Sequence, residues 1–316
     1  MNQLCFICHT KLIYKLSSYD FLYHSTTKEF SIYKCPNCLL EQIYPLPGSE
    51  KISSFYPKTY YSYNIGSKSC KKDVYYLYTK FKDQLIHLSY KHPHLARFFK
   101  PFVRGVPVKK FGNGNFLDVG CGDGHTVSQM SSLGWNAFGF EIGSKTKVGN
   151  IYYNTSLEHT DFGKTKFSYI RVWHVLEHVL NPDTFIEELK NLLADDGKII
   201  FALPNTKSIY AQLFGKFWSS RDTPRHLFNY NPTNLNMLFD KHGLEITELN
   251  YEALAGFIGS LMFIVNEHYK TRFNFVNSPL LFLFWPLDLT CNTLKLGDII
   301  TITVTKKEAE KQDKKR

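Results

Sequence analysis

Residues 116–124 read Phe116-Leu-Asp-Val-Gly-Cys-Gly-Asp-Gly124, and the fold turns on this stretch. A short apolar run of strand type ends at Asp118 and Val119. Glycines follow at 120, 122 and 124, and His125-Thr-Val-Ser-Gln-Met130 reads as a helix start. Glycine reaches backbone angles closed to other residues and lets a ligand lie against the main chain, while a helix start offers unpaired N–H groups. Such a turn binds a nucleotide-like cofactor. A lone glycine-rich turn is also an ordinary strand-to-helix connection, so its neighbours must decide.

Downstream, Gly134 fits a helix C-cap, and Trp135-Asn-Ala-Phe-Gly-Phe-Glu141 reads as a second strand ending in a carboxylate. An acidic group there is positioned to accept hydrogen bonds from both ribose hydroxyls of a nucleotide on the first turn. From Glu141 to Tyr152 there is room for only a short helix. Phe167 to His174 reads as a further strand running into Val175-Leu-Glu-His178. Asn181 is a good N-cap, Pro182 a good first helical residue, and Phe185, Leu189 and Leu192 set an apolar face that Gly197 closes. Lys198 to Asn205 forms the next strand. Residues 206–230 make a polar and aromatic excursion holding Phe217-Trp218 and Asp222-Thr-Pro-Arg-His226. Asn231 then caps a helix begun by Pro232 and ended by Gly243, and Leu244–Tyr251 and Ile299–Val304 are the last two strands. This alternation implies an α/β fold with a doubly wound, mostly parallel sheet.

Upstream, Cys5-Phe-Ile-Cys8 and Cys35-Pro-Asn-Cys38 bracket a segment of short strands. Two C-x-x-C turns can set four thiolates tetrahedrally about Zn²⁺, and so small a module needs the metal in place of a core. Cys5, Cys8, Cys35 and Cys38 are therefore expected to hold a structural zinc, with His9 and His24 as bystanders. A proline and tyrosine connector follows. Residues 72–100 then carry Val74, Leu77, Tyr78, Phe81, Leu85 and Leu88 at helical spacing, broken at His92-Pro93.

The 316 residues, 43% hydrophobic and 21% charged, exclude a disordered or fibrous chain. No signal-peptide pattern opens the sequence, and no apolar run reaches the roughly 20 residues that span a bilayer. The expected location is the cytoplasm, with contact at the inner face of a membrane left open. Residues 1–111 hold 17 Lys and Arg against 6 Asp and Glu, a net +11, whereas the rest of the chain is near neutral at −1. That surplus suits an anionic partner or is simply a solvated face. Two apolar patches, Leu254–Val265 and Pro279–Leu289, point first to core or homodimer contact and second to a membrane surface or lipid tail. The chain divides into a zinc-ribbon-like module (1–50), an aromatic and helical connector (51–111), the main domain (112–305, with the apolar insert 254–298) and a charged tail (306–316).

In order and together, Leu117–Gly124, Gly134–Glu141, Trp173–Val179 with Asn181-Pro182, Asp196–Phe201, Pro204-Asn205 and Pro224–Phe228 resemble the class I S-adenosylmethionine-dependent methyltransferases. The cysteine pairs, Pro45-Leu-Pro47 and the tyrosine connector are similar to the N-terminal part of a bacterial subgroup with a four-cysteine zinc-binding module. The resemblance implies a Rossmann-like sheet of seven strands, the last antiparallel. It implies S-adenosylmethionine held by Asp118, Gly120, Cys121, Gly122 and Gly124 at the methionine portion, by Glu141 at the ribose, and by Ser156 and Leu157 beside the adenine. Trp173 and His174 would form the site floor. Asn154 and Ser168 stand where many relatives carry an acidic residue.

Methyl transfer needs an aligned nucleophile, exclusion of water and, for a hydroxyl, loss of a proton. His174, His178 and His226 are the candidate bases, because imidazole titrates near neutral pH. His226 comes first, as it lies on the excursion where a substrate lid would be. The expected activity is methylation of a hydroxyl or amine on a small or carrier-linked substrate, such as a sugar nucleotide, glycan or lipid precursor. The alternatives are an RNA methyltransferase, for which no RNA-binding motif appears, and a non-catalytic cofactor-binding or assembly protein. His174-Val-Leu-Glu177-His178 fits the H-x-x-E-H pattern of zinc proteases, but its first histidine falls at a strand end. A dehydrogenase fingerprint would need its third glycine one residue later.

Overall fold

The computed structural model describes residues 3–57, 74–92, 114–143, 147–252, 255–273 and 280–308. The tyrosine connector beyond Pro57, Pro93, Leu254, Pro279 and the tail beyond Glu308 lie outside these residues.

The N-terminal strands β1 (Ile13–Ser18), β2 (Phe30–Lys34) and β3 (Glu41–Ile43) form an antiparallel meander. A one-turn helix α1 (Ser49–Ile52) follows, then α2 (Val74–Lys91), which ends just before the His92-Pro93 break. The glycine stretch forms as the sequence predicts: β4 (Asn115–Val119), the turn, and α3 (His125–Ser132), closed by Gly134 at φ 89°. Next come β5 (Asn136–Ile142), β6 (Lys147–Val148) and β7 (Ile151–Asn154). The short helix expected after Glu141 is replaced by the antiparallel β6–β7 hairpin, with Lys147 opposite Tyr152. The connection is too short to wind a helix and still return β7 alongside β5, so it turns back as strand.

Then follow β8 (Phe167–Trp173), α4 (Pro182–Leu192) and β9 (Leu193–Pro204). Asn181 caps α4 by accepting the Thr184 N–H. Gly197 does not close that helix, which stops at Leu192; it lies in a bulge of β9, where a Cβ would sit 2.8 Å from the Phe167 carbonyl. The excursion carries α5 (Ile209–Phe214) and β10 (Phe228–Asn229). A capping box between Asn231 and Asn234 starts α6 (Pro232–Lys241). The chain ends with β11 (Leu244–Glu252), α7 (Gly256–Tyr269), α8 (Leu280–Thr293) and β12 (Ile299–Lys306).

The main sheet runs β11-β12-β9-β8-β4-β5-β7-β6. Its central strands are parallel, and β12 inserts antiparallel between β9 and β11. These are the seven expected strands plus the two-residue β6 at the edge. Alternate residues of β4 feed opposite faces: Leu117 and Val119 join the core under α4 and α6, and Phe116 joins Val127, Met130 and Trp135 under α3. Lys306, expected in the charged tail, closes β12 with its stem buried and its ammonium on the Leu193 carbonyl at 2.8 Å.

The excursion supplies the fourth strand of the N-terminal sheet, because β10 pairs antiparallel with β3. Helices α7 and α8 pack beside it. Ile258, Met262 and Phe263 of α7 are buried, whereas Leu283, Leu287 and Leu289 of α8 face outward.

Candidate active site and cysteine cluster

In an open α/β sheet, ligands bind beyond the carboxyl ends of the strands where the strand order reverses. Here the order reverses between β4 and β8. Asp118 near the end of β4, Glu141 on β5 and Trp173 on β8 thus come to one edge of three adjacent strands. The turn is pinned to β5 by N–H groups of Gly120 and Cys121, which donate to the Phe140 carbonyl at 2.8 and 3.1 Å. Gly120, Gly122 and Gly124 all have φ between 57° and 81°. A Cβ on Gly120 would also lie 2.5 Å from Val175 Cγ2, so the segment after β8 lies directly against the glycine turn.

Asp118 is buried and accepts a bond of 2.8 Å from Arg171, whose guanidinium stacks on Trp173, and the Thr126 hydroxyl also stabilises its charged form. Burial outweighs that cation and pushes the carboxyl up from its ordinary value. Its Oδ2 has no hydrogen-bond partner. Burial also raises Glu141, against the pull of two backbone donors, Gly122 N–H at 2.7 Å and Ile142 N–H at 3.0 Å. A carboxylate has about four lone-pair positions, so two remain for hydroxyl donors. An orphaned buried acceptor, a glycine turn and a carboxylate with spare acceptor capacity suit a nucleoside carrying an amino acid. Cys121 is buried, and burial, then Asp118 and Glu141, push its thiol above the ordinary range. Ser156 bonds His159 at 2.9 Å, and Leu157 is buried in the main core.

The three candidate histidines meet around Glu177, which the sequence singles out only as part of the H-x-x-E-H pattern. His174 leaves β8 at φ 55°, with Nδ1 3.1 Å from Glu177 Oε1. Glu177 and His178 sit on a three-residue 3₁₀ turn. His226 reaches in from the excursion, its ring 4.6 Å from that of His178. The pattern is thus not a helix bearing two histidines, and the third member comes from the excursion. His226 is pushed well below its ordinary value by burial, then by the charges of His178, His174 and Arg225; burial lowers His178 as well. Both imidazoles are neutral at working pH. Glu177 is fully buried, and its Oε2 has no partner.

The excursion is held by two buried arginines. Arg225 pairs with both oxygens of Asp20 at 2.7 and 3.0 Å and with Asp222, and Arg221 bonds Glu41 at 2.7 Å. Asp20 and Glu41 belong to the N-terminal module, so the module braces the excursion that carries His226. Composition gives no signal for this pairing, since partners about 200 residues apart meet only in the fold.

In the module, Cys5 Sγ lies 3.4 Å from Cys38 Sγ and Cys8 Sγ 3.4 Å from Cys35 Sγ, with all four within 4.8 Å of one another. Tetrahedral zinc with Zn–S bonds of about 2.3 Å fits such spacings. Each pair forms the same turn: His9 N–H donates to the Cys5 carbonyl and Leu39 N–H to that of Cys35, at 3.0 and 3.1 Å, with both residues at positive φ. The hydrogen bond between Cys5 and Cys38 lowers one thiol of the pair and raises the other, as two sulfurs sharing one proton do. His9 and His24 stand outside the cluster.

This sheet order, with the glycine turn and the acidic strand end at its switch point, is the architecture of a class I methyltransferase. The chain belongs to the methyltransferase domain family, whose sequence model matches residues 90–249. It is similar to the ubiquinone biosynthesis O-methyltransferases of Erwinia tasmaniensis, 29% identical over 150 residues, and of Shewanella pealeana, 28% over 101. These matches cover 40% and 28% of the chain and 62% and 43% of those enzymes. Among solved structures it is similar to the 1,6-didemethyltoxoflavin-N1-methyltransferase of Burkholderia thailandensis, at 12% identity and TM-score 0.43, covering 88% of this chain and 96% of that one. No helix among the described residues is long and apolar enough to cross a membrane.

Proposed function

We propose that this protein is an S-adenosylmethionine-dependent O-methyltransferase acting on a hydroxyl of a small or carrier-linked acceptor. The observation that carries this is the Glu177–histidine cluster beside the glycine turn, linked to it by the Val175–Gly120 contact. Bound at the turn, S-adenosylmethionine supplies a methyl carbon on a sulfonium. Asp118 and Gly120 to Gly124 would receive its methionine portion, Glu141 its ribose, and Ser156 with Leu157 the adenine side.

The chain's own contribution is alignment, exclusion of water and loss of the acceptor's proton. The proton is lost at the cluster of His174, His178 and His226, in which burial holds His178 and His226 below their ordinary value. His226, on the lid, brings its part of the cluster only when the excursion is seated. The four cysteines would hold a structural zinc whose task is to keep β3 ordered beneath β10. The outward leucines of α8 support a carrier-linked or lipid-borne acceptor over RNA, since the chain carries no recognisable RNA-binding motif.

The test is calorimetry with S-adenosylmethionine followed by an acceptor screen. Micromolar binding by the wild type that is lost in Gly122→Val supports the reading. No binding by a folded, zinc-loaded wild type sinks it.

A further inference from the structure

The buried carboxylate at the centre of the histidine cluster is only half used. Glu177 Oε1 receives His174, but Oε2, fully enclosed, has no hydrogen-bond partner. Leaving such a group unpaired is costly, the more so when it is charged, so something polar is expected to face it.

The two nearest imidazoles are oriented to supply that setting. His226 Nδ1 lies 2.9 Å from the Ser220 carbonyl, and His178 Nδ1 lies 3.1 Å from the Arg225 carbonyl and 2.9 Å from the Tyr56 hydroxyl. A carbonyl only accepts, so in His226 the hydrogen sits on Nδ1 and the lone pair on Nε2, and in His178 the Tyr56 hydroxyl, which accepts as well as donates, is compatible with the same tautomer. Metal-binding histidines are held in this way, with the far ring nitrogen donating to a backbone carbonyl. Glu177, His178 and His226 offer donor atoms within 4.8 Å of one another. A small inward movement brings them to the bond lengths of about 2.0–2.2 Å that a divalent first-row ion takes from nitrogen and carboxylate oxygen.

We propose that Glu177, His178 and His226 form a second metal site, distinct from the cysteine cluster, that binds one divalent first-row cation. Two neutral imidazoles and one carboxylate leave coordination positions open, as in sites that bind a substrate oxygen. The cysteine cluster fills all four of its positions with sulfur and has none to offer. The role of the cation, though not the site, rests on the methyltransferase reading. It would hold the acceptor hydroxyl and lower its pKa. The O–H bond breaks, and the proton passes to His174, which stays outside the donor set. The oxygen keeps the electron pair and forms the new O–C bond as the methyl–sulfur bond breaks to a neutral thioether.

The experiment is titration of the zinc-loaded full chain with Co²⁺ alone, followed by calorimetry and visible absorbance. The wild type is expected to take up one further equivalent with a spectrum free of thiolate-to-cobalt charge transfer. Glu177→Gln and His226→Ala should bind at least about tenfold more weakly. X-ray absorption at the cobalt edge of the wild type, which depends on no variant, should show two imidazoles and no sulfur. No second equivalent, a sulfur shell, or equal uptake by Glu177→Gln overturns the site. S-adenosylmethionine calorimetry on the same sample separates the two readings: cobalt uptake without cofactor binding removes the methyltransferase role and leaves the cation site standing.

Discussion

The cofactor edge and the histidine cluster lie side by side, yet they are built in opposite ways. The edge is made of local pieces. Strand, glycine turn and helix occupy 20 consecutive residues (Asn115–Gly134), and parallel pairing brings Glu141 and Trp173 beside them. The cluster takes His226 from a lid whose position depends on Asp20 and Glu41, about 200 residues earlier in the chain. Damage to the N-terminal module should therefore reach the cluster before it reaches the turn.

The largest break in this comparison is expected from loss of the zinc proposed for the four cysteines. Structural zinc sites contribute about 10–16 kcal/mol in small peptides near neutral pH. Cys35→Ser with Cys38→Ser should lose zinc and all turnover, while binding of S-adenosylmethionine falls far less. Metal analysis beside calorimetry reads both, and equal losses would refute the separation.

Next in size is Arg225→Met. It strands the Asp20 and Asp222 carboxylates, and breaking a buried pair by removing one partner costs about 3–5 kcal/mol. Urea unfolding measures this. The same contact has a pH signature. Burial alone would raise the Asp20 carboxyl, but the hydrogen bonds and charge of Arg225 outweigh it and hold it at about 2. A depressed carboxyl contributes stability that is complete above its ordinary value near 3.8 and is lost as pH falls towards about 2. Thermal unfolding between pH 5 and pH 2, values chosen to bracket that window, should show a slope that flattens in Asp20→Asn.

A smaller effect is expected on the cofactor edge itself. Gly120→Ala forces φ 74° on a residue with a side chain and drives its Cβ against Val175. Such strain costs about 1–3 kcal/mol, visible as a lower melting temperature and weaker cofactor binding. Smallest is Glu141→Gln, which keeps the shape and removes the charge. One weakened charge-assisted hydrogen bond corresponds to roughly tenfold in cofactor affinity, or about 1.4 kcal/mol.

Much of the main domain was legible because its signals are short-range. The caps at Asn181 and Asn231 act within three residues, and the turn glycines act on their own backbone. Two local expectations failed where pairing overrode them. Gly197 looked like a helix stop, but close approach of β8 required a glycine in a strand bulge instead. Residues after Glu141 became a hairpin because β7 needed a route back to the sheet. Along the chain Glu177 carries only the H-x-x-E-H pattern, and nothing there announces that its second oxygen will lack a partner.

By itself, then, the sequence determined the doubly wound sheet, the glycine turn and its acidic partner, and the two cysteine turns, all of which follow from periodicity, caps and backbone freedom within a few residues. Only the tertiary structure decided that β10 completes the N-terminal sheet, that Asp20 and Glu41 hold the lid arginines, and that His226 meets Glu177. These contacts join residues far apart along the chain. Their energy comes from burial and charge pairing that exist only once the surrounding elements have packed.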